Sequence, residues 1–178
     1  MPAPSTAVSP PPVPPQRIYA WLQDVFDPEI PVLSVVDLGV VREVRWDDDT
    51  CVVVITPTYS GCPAMREITQ GIEDALRARG IAQVQVQTRL APAWTTDWMT
   101  SKGRAALQGY GIAAPAARAL DTRVIDISAL RRAEQPAIAC PHCGAHHTRM
   151  ISPFGSTACK ALYHCMECRE PFDYFKPH

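Results

Sequence analysis

The sequence predicts an α+β fold, a small α-β-β-α-β-α sandwich followed by a C-terminal module built on four cysteines. Apolar residues recur at helical spacing over 18–26 and 65–76, and β-branched or alternating runs occupy 40–46, 51–58 and 83–90. Two Cys-x-x-Cys pairs then lie close to the C-terminal end. A helix, a strand pair, a helix and a further strand in that order belong to a sheet with helices on one face.

At 178 residues the chain has room for one ordinary domain and a small module. Hydrophobic residues make up 47% and charged residues 20%, so a core can be buried. Seventeen basic against eighteen acidic residues leave a net charge of -1, which argues against nucleic acid or an anionic membrane as partner. The longest apolar runs fall far short of the roughly 20 residues that span a bilayer. The N-terminal residues lack a basic start and an apolar stretch, so no secretory signal is read and a cytoplasmic location is expected. Seven cysteines in a reducing compartment favour metal ligation over disulfides.

Seven of residues 2–15 are proline, and residues 1–15 are read as a disordered tail of polyproline character. The main domain is expected over 16–111. Ile18, Trp21, Leu22, Val25 and Phe26 share one helical face, with Pro15 suited to the first turn and Asp27-Pro28 ending the helix. The acidic turn 47–50 joins two strands into a hairpin. Beyond Cys62 and Pro63, a second helix presents Met65, Ile68, Ile72, Ala75 and Leu76 on one side and stops at Gly80. Strict alternation over 83–90 suits a strand with Val84 and Val86 facing the core. An aromatic-rich loop then leads into a short helix near 100–109. Residues 112–136, broken by Pro115 and Pro136, are read as a linker with one short strand at 123–127, and 137–178 as the cysteine module.

Cys140 and Cys143 are separated from Cys165 and Cys168 by 21 residues. Two residues between paired cysteines let a tight turn aim both sulfurs at one point, and backbone N–H groups in the turn can donate to them. The pattern is that of a zinc ribbon with one zinc on four thiolates, although iron in a rubredoxin-like site suits the same ligands. Phe154, Tyr163, Phe172, Tyr174 and Phe175 are expected to pack around the knuckles. His142, His146, His147, His164 and His178 are read as surface residues. Cys159 fits neither pair and stays open between a spare thiol, a packed residue and a ligand. Cys51, within an apolar strand, is read as buried and inert.

Cys62 precedes a helix, where free N–H groups and the helix dipole lower a thiol pKa. It is a candidate thiolate for transient metal or cluster ligation or for nucleophilic attack, with no adjacent base to mark an acyl-transfer site, and on position alone a buried, inert cysteine is the favoured reading.

The segments DPEIPVLSVVDLGVV (27–41) and TPTYSGCP (56–63) resemble the SufT-like family of iron–sulfur assembly domains, which keeps a DPE-x-P turn, a DLG and a GCP cysteine. Residues 94–115 and 153–178 resemble the branch of that family encoded with phenylacetyl-CoA epoxidase, the di-iron oxygenase of aerobic phenylacetate degradation. TPTYSGCP departs mildly from the family's shorter form. The resemblance implies a non-catalytic accessory subunit that matures a metal centre in an oxygenase or reductase partner. It places the cluster-linked cysteine at Cys62, carries Asp37 and Glu29 over as motif residues, and leaves a homodimer open. It implies iron or an iron–sulfur cluster in transit, beside the zinc of Cys140, Cys143, Cys165 and Cys168. A rubredoxin-like electron carrier and a purely structural oxygenase subunit are the competing readings; ferric iron on four thiolates would be red, and a structural subunit would co-purify at fixed ratio.

Overall fold

The computed structural model describes residues 13–115 and 138–177. Most of the proline-rich segment, the strand expected at 123–127 and His178 lie outside them. Helix α1 runs Pro15–Leu22 on an extended Pro14, where a proline costs no hydrogen bond because the first turn has none to lose. It ends earlier than its apolar spacing suggests: Asp24 and Val25 donate to Trp21 and Leu22 three residues back, which tightens and closes the helix. Val25 stays buried, but Phe26 turns outward, 51% exposed, and bridges Ser34. The described residues include the end of the expected tail, where the Val13 carbonyl accepts from Trp46 Nε1 at 2.8 Å.

Strands β1 (Val41–Asp47) and β2 (Thr50–Ile55) form the expected hairpin, turning at Asp48 with a φ of 49°. Helix α2 (Met65–Arg77) crosses to β3 (Val84–Thr88), which pairs parallel to β2. The sheet order β1-β2-β3 puts β2 at the centre. Its inner face carries Cys51, Val53 and Ile55 against Ile68, Ile72 and Leu76 of α2 and Ile18 and Leu22 of α1. Its outer face is also closed to water: Val52 and Val54 are buried although no helix among the described residues covers them. Their cross-strand neighbours are Arg45 and Gln85, and Glu43 and Gln87. These polar side chains are joined by Arg45–Gln87 at 3.2 Å and Gln87–Gln85 at 3.0 Å, and Arg89 bonds Glu43 at 3.1 Å. Long polar side chains lay their methylenes over apolar surface while their heads stay wet.

A 3₁₀ turn at Thr96–Trp98 leads into α3 (Ser101–Gly109), capped by the Thr100 hydroxyl, which accepts from Gly103 N at 3.0 Å. The turn presses on the loop before β1. Gly39 has a φ of +77°, and a Cβ there would stand 2.5 Å from the Trp98 carbonyl oxygen.

Directly after α3, where a linker was expected, Ile112–Ala113 form β4 and pair parallel with β7. The second sheet has the order β4-β7-β6-β5, with β5 Thr148–Ser152, β6 Lys160–Cys165 and β7 Pro171–Phe175. Its own core holds Tyr163, Phe172 and Tyr174 with Cys140 and Cys165. Two expected members of that core are elsewhere. Phe154 is 65% exposed under the Lys176 ammonium, and Phe175 faces Trp94 of the first domain with ring centroids 5.9 Å apart. Phe175, Cys159 and Ile112 thus belong to the core of the first domain. Alternation explains the assignment, since Tyr174 and Phe175 are adjacent on a strand and point to opposite faces.

Gly39→Ala is expected to destabilise by about 2 to 4 kcal/mol, combining left-handed strain with the clash on Trp98. Gly80→Ala, with a φ of +90° but open space around it, should cost only about 1 kcal/mol. Urea unfolding of both variants measures the difference, and equal losses would remove the close approach from the explanation.

Candidate metal centre and a second cysteine site

The two Cys-x-x-Cys turns are built alike. Cys140 N donates to the Ala145 carbonyl at 2.9 Å and Cys165 N to that of Glu170 at 3.0 Å. Each turn closes through a left-handed residue, Gly144 with a φ of 76° in the first and Arg169 with 64° in the second. The second knuckle therefore accepts a strained non-glycine residue where the first has a free one. Strands β5 and β6 pair Thr148 with Cys165 and so bring the turns together.

The four sulfurs all lie within 4.8 Å of one another, with Cys140–Cys168 at 3.7 Å and Cys143–Cys165 at 3.6 Å. A tetrahedral ion with metal–sulfur bonds of about 2.3 Å holds its sulfurs roughly 3.8 Å apart, so the donor set fits a metal ion as it stands. The N–H groups of Cys168 and Glu167 draw the Cys165 thiol down to about 7. Glu170 N–H pulls Cys168 the same way, but burial and hydrogen bonds to the other three sulfurs outweigh it and hold that thiol up at about 12. Four thiolates this close need a cation to coexist, and when it binds, it supplies the charge that ionises the last of them.

Cys62 lies at the other end of the molecule's chemistry. Its sulfur accepts from Ala64 N–H and the Thr58 hydroxyl, and the Tyr59 hydroxyl donates to it. The expected low pKa is not found. Burial pushes the Cys62 thiol up, and the carboxylates of Glu29 and Asp27 add to that, outweighing the Ala64 N–H. The helix itself starts only at Met65, so the dipole acts from a turn away and a single N–H remains of its pull. Cys62 is half-buried at the edge of the core. Beside it, Pro57, Thr58, Tyr59, Ser60, Leu90, Ala93 and Trp94 line a cavity of about 220 Å³.

Glu29 and Asp37, grouped with Cys62 by motif, have different places. In the DPE turn, Asp27 Oδ1 accepts from Glu29 N at 2.8 Å and Ile30 N at 2.9 Å. Beyond that closed turn, burial first and then the neighbouring Asp27 raise the pKa of Glu29. Asp37 instead joins the DLG loop to α3: it accepts from Thr100 at 2.7 Å and Ser34 at 2.9 Å, pairs with Lys102 at 3.1 Å, and its carbonyl accepts from Thr100 N. Burial would raise its pKa, but the Thr100, Ser34 and Lys102 bonds outweigh burial and hold it below the usual carboxylate range. A depressed native pKa stabilises the fold above the ordinary carboxylate range and loses that contribution as pH falls through the native value. Cys51 is fully buried, its thiol pushed up to about 11 by burial.

Thr58, Tyr59, Asp27 and Lys160 were not singled out from sequence. The first three lie inside the quoted motifs, so position beside Cys62 and Glu29 was a usable signal; Lys160 is brought in from the second sheet, for which local sequence holds none.

Asp37→Ala is expected to cost about 2 to 4 kcal/mol in urea unfolding while leaving alkylation of Cys62 unchanged in native buffer. Glu29→Gln removes a negative charge from beside the sulfur, so Cys62 should ionise more readily and react severalfold faster with iodoacetamide below its native pKa. Mass spectrometry of the labelled peptide reads the rate, and an unchanged one would put the Glu29 charge out of reach.

Residues 126–176 match the family described as PaaD zinc beta ribbon domain, and residues 15–87 match the family described as iron–sulfur cluster assembly protein. The chain is 48% identical over 165 residues to a protein of Escherichia coli (strain K12) named as the D subunit of 1,2-phenylacetyl-CoA epoxidase, covering 92% of this chain and 94% of that protein. It is 34% identical over 85 residues to the Fe-S protein maturation auxiliary factor SufT of Staphylococcus aureus (strain USA300), covering 47% of this chain and 96% of that one. A crystal structure of a domain of unknown function, DUF59, from Bacillus anthracis aligns with a TM-score of 0.48 at 28% identity, over 52% of this chain and 89% of that one. Both modules match in order, and the identity runs nearly end to end, so the chain belongs to the family of phenylacetyl-CoA epoxidase D subunits, which joins an iron–sulfur assembly domain to a zinc ribbon.

Proposed function

We propose that the chain is a non-catalytic accessory subunit of a phenylacetyl-CoA epoxidase system in phenylacetate catabolism. In this reading it delivers iron or an iron–sulfur unit to an oxygenase or reductase partner in the cytoplasm. The observation that carries the reading is the setting of Cys62: a half-exposed sulfur held by Ala64 N–H and the Thr58 and Tyr59 hydroxyls, with Glu29 at hand. A thiol kept protonated until a cation arrives suits a ligand that must take up cargo and give it away. A permanently ionised one would hold the metal more tightly. Asp37 fixes the loop that precedes β1.

The four-cysteine centre is read as structural zinc, because all four tetrahedral positions are taken by protein sulfur and none is left for substrate. One observation favours the alternative of redox iron: Cys143 is exposed, which would give an electron a short way out. Metal analysis of anaerobically purified protein separates the two, since one zinc without iron supports the structural role and one iron without sulfide supports electron transfer. No helix among the described residues is long and apolar enough to cross a membrane.

Cys62→Ala is expected to keep the fold and the ribbon metal yet leave oxygenase or reductase partners matured alongside it short of iron. Partners with the same iron and sulfide content after maturation with wild type and variant would refute the delivery role.

A further inference from the structure

The two edges of the first sheet are finished differently. Strand β1 carries devices that keep an edge strand single: a register shift between Val41 and Glu43, charged side chains at Arg42, Glu43, Arg45 and Asp47, and the chain at Val13 held against Trp46. Strand β3 carries none of them. Its residues Val84, Gln85, Val86, Gln87 and Thr88 are uncharged and pair with β2 without a bulge, and among the described residues β2 is the only strand bonded to it.

The parallel ladder fixes which backbone groups are left over. Cys51 N donates to the Gln83 carbonyl at 2.9 Å and Arg89 N to that of Ile55 at 2.8 Å, with Val53 opposite Val86 between them. A strand in a sheet turns alternate residues towards a given neighbour. Gln83, Gln85, Gln87 and Arg89 therefore face β2, and the N–H and C=O groups of Val84, Val86 and Thr88 point away from it. Val84 and Val86 lie on the face packed against the core yet are only half-buried, so apolar surface is left at the same edge.

We propose that this edge pairs with the same edge of a second copy of the chain, antiparallel about a two-fold axis through Val86, so that the two sheets become one. In that register Val86 exchanges two hydrogen bonds with Val86 of the second copy, and Val84 exchanges two with Thr88 at either end. No other register gives all three residues of both copies a partner. The axis is perpendicular to the sheet, so like faces meet. Val86 packs beside Val86 on the helix side, and just past the strand Leu90, 61% exposed, comes opposite the exposed Ala82. On the other face Gln87 comes opposite Gln85, which extends the row in which Arg45 donates to Gln87 at 3.2 Å and Gln87 to Gln85 at 3.0 Å. Arg89 meets Gln83, so no like charges are brought together.

The pairing also fixes how the two Cys62 sites stand. The loop from Ile55 to Cys62, and the cavity between Thr58 and Leu90, lie at the Thr88 end of β3. Antiparallel pairing sets that end against Val84 of the other copy. The two Cys62 sulfurs then stand at opposite ends of the joined strands, and each copy holds its cargo alone.

The test uses the full chain with zinc in the knuckle. Sedimentation equilibrium should show a monomer and a dimer in exchange. Hydrogen exchange read residue by residue should show the Val84, Val86 and Thr88 amides gaining at least about 10-fold protection as concentration rises through that transition, while Gln85 and Gln87 are protected throughout. Val86→Pro deletes an outward N–H and spares the ladder to β2, so it should weaken association by at least about 10-fold with zinc content unchanged. If proline prevents folding, the wild-type exchange profile decides alone. A chain that stays monomeric with the three amides in fast exchange, or a dimer that Val86→Pro leaves intact, would overturn the self-pairing. Protection that is independent of concentration would put another segment of the chain on the edge, and protection that appears only with an epoxidase subunit added would give the edge to that subunit; either result overturns it as well.

Discussion

The structure depends on one joint, where β7 runs between the two modules. Its Tyr174 and Phe175 are consecutive residues on opposite faces, so one lies in the ribbon's core and the other against Trp94 of the assembly domain. The pairing of β4 with β7 fixes that joint by backbone hydrogen bonds, and Ile112 reinforces it with a buried side chain. A module hung on a linker would be free to take any orientation. One that shares a strand and an aromatic contact is held in a single pose, and every group it carries at the seam is placed with it. Cys159 owes its place in the first domain's core to this arrangement rather than to its own neighbours in the sequence.

Much of the fold was legible because local rules and tertiary packing agree. Ile68, Ile72 and Leu76 repeat at helical spacing and are buried; the runs around 40–46 and 51–55 are β-branched and pair; Gly80 ends α2 in a left-handed conformation. The four-cysteine centre was legible for a different reason, since ligand spacing is dictated by the ion and not by the surrounding chain. What escaped was set by distant partners. Two residues, Ile112 and Ala113, are too few to read as a strand, and their role exists only because β7 lies alongside. Phe175 looked like ribbon core because it is aromatic and nearby in sequence, but strand alternation gave it to the other module.

The same division explains the reading of the cysteines. That Cys62 stands near a helix start was right in sequence, yet its ionisation is governed by burial and by carboxylates carried on the preceding loop, which local pattern does not reveal. Asp37 and Glu29 share a charge but not a setting: one is closed off by Thr100, Ser34 and Lys102, and the charge of the other acts on the Cys62 thiol. A motif marks residues that a family keeps together, and the hydrogen bonds around each decide whether it is kept for the fold or for the chemistry.

Strand β6 carries a cysteine at each end, with Cys165 as its last residue and Cys159 just ahead of its first. At about 3.3 Å per residue, some 20 Å of rigid backbone links the knuckle to the seam. A ribbon emptied of its ion loses the turn that anchors the far end of this rod, and the near end loses its register against the assembly domain. Ribbon metal and seam packing are then linked reciprocally: whatever the bound ion adds to the stability of the seam, the seam returns to the affinity of the ribbon for its ion.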